Sequence, residues 1–309
     1  MIDLHLHTTA SDGWLSPAEL VARASAAGLT TISVTDHDTV AAIAEVSDVA
    51  SAAAIRVVSG IEITAIDDGR DVHMLGYFFD PASASLAAVL QQQRALRVAR
   101  LREIGARLAT FGMVVDVESV LLAAAASPGS SVGRPQVARA LMRAGYVKSV
   151  QEAFDKWLAT GRPAFIPRTG PSPAAVVDAI HDAGGLASMA HPGVTKRDEL
   201  IAPLVDSGLD AIEVYHSDHT LEDQHRYQLL AHRYRLLVSG GSDFHGEDPR
   251  GSSAVAIAKD GRATRGILGA VSLPAEAFAA LESASAKRST SAKATADKPA
   301  REPNDRRTS

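Results

Sequence analysis

The feature that most constrains this chain is the recurrence of histidine and carboxylate residues in, or just after, short apolar and β-branched runs. Residues 2–6 carry His5, with His7 just beyond; 31–35 lead into Asp36-His37-Asp38; 56–64 hold Glu62; 72–79 hold His73; 186–190 end at His191; and 236–241 run into Ser242-Asp243-Phe244-His245. Runs of this length bounded by turn residues read as strands. Between several of them lie helical patterns, at 17–27 (capped by Ser16, stopped by Gly28), 40–54, 173–183 and 275–281. Alternating strands and helices, with strands apolar on both faces, predict an α/β fold, either a barrel or a doubly wound sheet. In a parallel barrel the C-terminal strand ends share one face, so residues far apart in the chain can meet there.

Side chains two apart in a strand point the same way, so His5 and His7 converge, and Asp243 and His245 repeat that spacing. Aligned histidines can be hydrogen-bonded core residues, or they can ligate a metal. The chain has no cysteine, so a metal must be held by His, Asp and Glu, which favours a catalytic centre over structural zinc. His5, His7, Asp12, His37, Glu62, His73, His191, Asp243 and His245 are more donors than one ion needs. A sulfur-free set of this size suits more than one divalent ion, such as Mn, Zn or Fe. Glu62, alone in an apolar run, is the candidate to bridge two of them.

The 46% apolar and 22% charged content of the 309 residues is that of a soluble globular protein, and no apolar run is long enough to span a bilayer. The N-terminal residues enter a strand without a leader pattern, which predicts a cytoplasmic protein. A net charge of −5 gives no global attraction to nucleic acid or membranes, so stable duplex-DNA binding is not expected. Residues 87–170 read as a helical insertion, strandless before 163–166, between a first barrel part at 1–86 and a second at 171–282. The tail from Ser283 has few large apolar residues and is expected to be disordered.

Taken together, His5-Leu6-His7 with Asp12, Thr35-Asp36-His37-Asp38, Glu62, His73, Ala190-His191-Pro192 and Ser242-Asp243-Phe244-His245 resemble the successive motifs of the polymerase and histidinol phosphatase (PHP) family. The resemblance implies a distorted TIM-like barrel of seven βα units with a three-metal centre. By position, one ion would take His5, His7, Glu62 and Asp243, a second Glu62, His73 and His191, and a third Asp12, His37 and His245. Some relatives carry histidine where this chain has Asp12. The segments 133–141, 153–158 and 161–167 are similar to the insert of a subgroup that hydrolyses nucleotide phosphates. Members of that subgroup act on nucleoside 3′,5′-bisphosphates or trim short RNA in the 5′-to-3′ direction.

These readings predict a metal-dependent phosphoesterase in which hydroxide formed on the ions attacks phosphorus. Its substrates would be small nucleotide phosphates or short RNA. Arg134 and Arg168 would hold a second phosphate, and His219 would contact substrate, while His216 is a candidate for substrate contact or proton donation. His181, His225 and His232 lie on helical patterns and read as structural or surface residues; Trp14 reads as packing, with base stacking as the alternative. Asp36 and Asp38 would orient His37 or cap the next helix. The competing readings are a histidinol-phosphate-type phosphatase and a non-catalytic metal-binding module associated with nucleic-acid enzymes.

Overall fold

The structure is a computed structural model that describes residues 1–126, 129–246 and 267–296. Seven strands lie side by side in sequence order: β1 (Ile2–Leu6), β2 (Thr31–Val34), β3 (Arg56–Asp67), β4 (Arg70–Tyr77), β5 (Leu186–Met189), β6 (Ala211–His216) and β7 (Leu237–Gly241). The sheet curls until its edges meet. Ser242 donates its backbone N–H to Asp3 at 2.9 Å, His7 donates to the Phe244 carbonyl at 2.9 Å, and Leu6 bridges Phe244 in parallel. The result is a distorted, nearly closed barrel.

The helices are α1 (Pro17–Ala26), α2 (Ile43–Ala52), α3 (Ala84–Ala109), α4 (Val117–Ala125), α5 (Arg134–Arg143), α6 (Val150–Ala153), α7 (Pro173–Asp182), α8 (Pro192–Thr195), α9 (Ile201–Asp206), α10 (Leu221–Tyr234) and α11 (Ala275–Ala296). Local chemistry sets their ends. Ser16 and Glu19 form a reciprocal capping box at α1, with Pro17 at the first helical position. No helix among the described residues is long and apolar enough to cross a membrane.

Three expectations need correcting. First, the sheet is not uniformly parallel, because β4 runs antiparallel to both β3 and β5. The β3–β4 connection is a tight hairpin in which both central residues, Asp68 and Gly69, have positive φ (47° and 68°), the geometry that suits strand twist. Second, residues 163–166 are not a strand; Ala164 is buried and its N–H bonds to the Trp157 carbonyl at 3.0 Å. Third, the chain from Ser283 continues α11 to Ala296. Phe278 and Leu281 bury against Leu4, Val58 and Ala211, and Arg288 pairs with Asp210 on the barrel. Once docked, an alanine-rich segment of high helix propensity propagates the helix. The rest of the tail lies outside the described residues.

Between the two barrel parts, the later turns of α3 join α4, α5, α6 and a π-helical turn at Phe154–Leu158. They share a core of their own, with Leu101, Ile104, Leu108, Val137, Leu141 and Leu158. The first turns of α3 bury Leu86 and Leu90 in the barrel core instead. This helix therefore anchors the insert over one end of the barrel.

Candidate metal centre

At one end of the barrel the strands deliver the histidines and carboxylates to a common point. His5 and His7 leave β1 on its inner face with no solvent exposure. Glu62 sits in β3 as a hub: its Oε2 lies 3.3 Å from His5 Nε2, 3.2 Å from His7 Nε2 and 3.2 Å from His37 Nδ1. Its Oε1 lies 2.6 Å from His73 Nδ1 and 3.1 Å from His191 Nε2. Because β4 is antiparallel, His73 reaches this mouth from the early part of its strand, paired with Thr64 of β3. His191 and Asp243 follow β5 and β7 in left-handed or near-left-handed conformations (φ 27° and 53°), costly for non-glycine residues and frequent at functional sites.

The remaining residues form the outer side. Asp243 Oδ1 lies 3.1 Å from His7 Nε2 and 3.4 Å from His5 Nε2. Asp12 stands 3.2 Å from His245 Nε2, and 3.8 Å from both His7 and His37. Ligand atoms gather within 4.8 Å of one another in the sets His5/His7/Glu62/Asp243, His37/Glu62/His73 and His7/Asp12/His37/His245. These sets hold eight of the nine residues singled out in the sequence, and His191 joins them through its 3.1 Å contact with Glu62.

The donor chemistry fits cations. His245 can only donate from Nδ1 to the Asp243 carbonyl (2.9 Å), so its Nε2 turns a lone pair toward the Asp12 carboxylate. His5 likewise donates from Nδ1 to Glu213 (2.9 Å) and turns Nε2 toward Glu62 and Asp243. Both nitrogens of His7 are buried without a hydrogen bond. A lone pair facing a carboxylate oxygen is repulsive unless a proton or a metal ion lies between them.

Protonation follows from this crowding. Burial alone would raise Glu62, but His37, His73 and His5 hold it well below the usual carboxylate range. Asp12 is likewise lowered, with His245 and His37 outweighing burial. Burial opposes charge on His7, yet Asp243 and Glu62 push it up to about 10. His37 moves down because burial dominates.

Several surrounding residues differ from expectation. Asp36 does not orient His37; it accepts from Thr8 N–H (2.8 Å), Thr8 Oγ1 (2.6 Å) and Ser11 Oγ (2.6 Å), clamping the loop that carries Asp12. Asp38 ties Thr64 N–H (2.9 Å) to Arg97 (2.5 Å). His219, expected to meet substrate, is buried with both ring nitrogens engaged. Its Nδ1 donates to the Val214 carbonyl at 2.8 Å and its Nε2 accepts from Gly193 N–H at 3.1 Å. Its ring packs against Tyr227. Trp14 lies under the Arg139 guanidinium, 3.8 Å from its ring centroid. Glu213 was not singled out although it is wholly buried beside His5. Its signal, a lone carboxylate in an apolar strand, is the one that marks Glu62.

Beside the cluster, two residues before His73, Asp71 faces Arg134 (3.6 Å) and Arg168 (3.8 Å). Arg134 also reaches the Leu158 carbonyl and lies between the rings of Phe154 and Phe165. Arg168 Nε and Nη1 and Arg100 Nη2 are buried and make no hydrogen bond among the described residues. Burial and the neighbouring Arg97 press Arg168 down to about 9, against the pull of Asp71 and Asp38.

The PHP domain family matches residues 3–160. A 3′,5′-nucleoside bisphosphate phosphatase of Chromobacterium violaceum is 34% identical over 249 residues, covering 79% of this chain and 87% of that protein. A 5′-3′ exoribonuclease of Haemophilus influenzae is 36% identical over 249 residues, 79% of this chain and 89% of that one. The chain belongs to the PHP domain family. A solved structure described as a candidate metal-dependent phosphoesterase of Bifidobacterium adolescentis superposes with a TM-score of 0.79 at 30% identity, covering 91% of this chain and 94% of that one. The segment matched to the PHP family holds His5 through His73 and Arg134; His191, Asp243 and His245 lie beyond it, and β5 and β7 return them to the same mouth.

Proposed function

We propose that this chain removes phosphate from nucleoside 3′,5′-bisphosphates, leaving the 5′-monophosphate, and accepts short 5′-phosphorylated RNA as a second substrate class. The chain is a metal-dependent phosphoesterase of the PHP type. The finer reading is carried by one observation: Arg134 and Arg168 gather on Asp71, two residues from His73, and buried nitrogens of Arg168 (Nε, Nη1) and Arg100 (Nη2) have no hydrogen bond among the described residues. Two anion-binding regions side by side suit a substrate with two phosphates.

In this reading His5, His7, Asp12, His37, Glu62, His73, His191, Asp243 and His245 hold two to three divalent ions, Mn, Zn or Fe. Such ions, when bound, lower the pKa of water towards about 7 and neutralise phosphate oxygens. The chain's own residues do the rest. Glu62 joins the ligand sets, and the Asp36 clamp keeps Asp12 in place. Arg134 and Arg168 bind the non-reacting phosphate and orient the ester, so remote binding energy favours nucleotide substrates.

The test is a substrate panel with Mn added, comparing adenosine 3′,5′-bisphosphate, adenosine 5′-monophosphate, histidinol phosphate and a short 5′-phosphorylated RNA. The bisphosphate should have the highest kcat/KM, with the RNA next. Preference for histidinol phosphate would overturn the nucleotide assignment.

A further inference from the structure

Strand β6 supplies none of the nine proposed ligands, yet it runs under the cluster with two buried ionisable side chains, Glu213 and His216. Residues three apart in a regular strand point to opposite faces. Here the pairing of β6 with β7 shifts register between Glu213 and Tyr215: Glu213 pairs with Ser239, Tyr215 with Gly240, and His216 with Gly241. This bulge turns His216 to the side of Glu213, and bulges that re-aim a side chain are common beside active sites.

We infer that β6 is the positioning strand of the metal centre, with Glu213 fixing His5 and His216 fixing Asp243. The inference rests on the metal-ligand reading above. Both Glu213 oxygens are committed: Oε1 accepts from His5 Nδ1 at 2.9 Å and Oε2 from His191 N–H at 2.6 Å. The first bond sets the His5 tautomer and leaves Nε2 free to ligate; the second ties down the strained His191 backbone. A carboxylate behind a ligating imidazole orients the ring and raises its basicity.

His216 acts on the same ion from the other side. The Asp218 backbone N–H donates to His216 Nδ1 at 3.1 Å, so the proton of the neutral ring sits on Nε2. That nitrogen faces Asp243 Oδ2 at 3.5 Å, while Asp243 Oδ1 faces His5 and His7. Although His5, Glu213 and His216 lie close enough to resemble a further metal set, both Glu213 oxygens already accept from His5 and His191, and His216 Nε2, without a hydrogen bond among the described residues, has the Asp243 carboxylate 3.5 Å away. Two ligands of one ion are thus oriented from a single strand.

The experiment measures Mn affinity by competition with a chelator, together with kcat and KM, for the full chain and four variants. Glu213→Gln keeps the volume but cannot accept from both donors. His216→Ala removes the contact to Asp243, His216→Gln restores an amide N–H, and His7→Ala is the control for a direct ligand. Glu213→Gln and His216→Ala should each weaken the tightest Mn by about 10–100-fold. Their kcat should fall with KM nearly unchanged, and His216→Gln should recover part of the loss. Wild-type Mn affinity in Glu213→Gln, alongside lost affinity in His7→Ala, overturns the inference and spares the metal reading. Absence of Mn binding by the wild-type chain overturns the metal reading itself. Should Glu213→Gln not fold, equal affinities in His216→Ala and the wild type overturn the inference.

Discussion

Replacing Arg168 with methionine should raise stability and lower specificity together. The guanidinium is about one-tenth exposed, its Nε stands 3.8 Å from Asp71, and Nε and Nη1 lack hydrogen bonds among the described residues. A buried polar group left unsatisfied costs roughly 1–3 kcal/mol. Asp71 keeps Arg134 when Arg168 is gone, and methionine retains much of the apolar stem. The substitution should therefore stabilise the metal-free protein by about 1–2 kcal/mol, a rise in Tm of roughly 2–4 °C for a chain of this size. Function should move the other way, because charge-assisted hydrogen bonds to a phosphate are worth about 1.5–3 kcal/mol. That corresponds to roughly a 10–100-fold higher KM for adenosine 3′,5′-bisphosphate, with kcat/KM for p-nitrophenyl phosphate little changed. Thermal melts in chelator and steady-state phosphate release read the two effects. A lower Tm with equal losses on both substrates would refute the anion-site argument.

Metal linkage gives a pH signature. His7 is pushed up to about 10 in the metal-free fold, against about 6.5 unfolded, so its stabilising protonation is full below about pH 6.5 and is lost as pH rises towards 10. Metal binding requires those protons to leave and strengthens with pH; the Tm gap between Mn-loaded and metal-free protein should widen from about pH 7 to pH 9, and a constant or shrinking gap would contradict this. Arg139 donates to the Asp12 carbonyl at 2.5 Å and stacks on Trp14, so Arg139→Ala should lower Mn stoichiometry at the Asp12 side by about one ion while sparing the tightest ion; unchanged stoichiometry by mass spectrometry would show that the insert does not steady this loop. His191→Ala and Asp243→Ala should each lose phosphate release to background with far-UV circular dichroism unchanged, and near-normal turnover in either would remove that residue from the ligand set.

Much of the centre could be read from local pattern because strand geometry is local. His5 and His7 share a face by the two-residue period, and Glu62 stands out as a charge inside an apolar run. What escaped depends on contacts between distant segments. The turn-like stretch Asp67-Asp68-Gly69-Arg70 between β3 and β4 is local and legible, but the antiparallel pairing of β4 with β5, far along the chain, is not. His219 follows a strand on the correct side, but the Val214 carbonyl and Gly193 draw it inward. Glu213 carried the same signal as Glu62, but its partner His5 is 208 residues away in the chain. The continuation of α11 past Ser283 depends on anchors at Phe278, Leu281 and Arg288, which composition does not reveal.

If this His/Asp/Glu cluster holds the ions that hydrolyse a nucleotide phosphate, turnover must depend on bound metal. The most direct test is to strip the protein with chelator, titrate Mn back, and follow phosphate release from adenosine 3′,5′-bisphosphate alongside bound Mn per chain. Stripped protein should release no phosphate, and release should climb with bound Mn to a plateau at two to three ions. Turnover by the stripped protein, or bound Mn that brings no release from any phosphate ester in the panel, would contradict the metal reading.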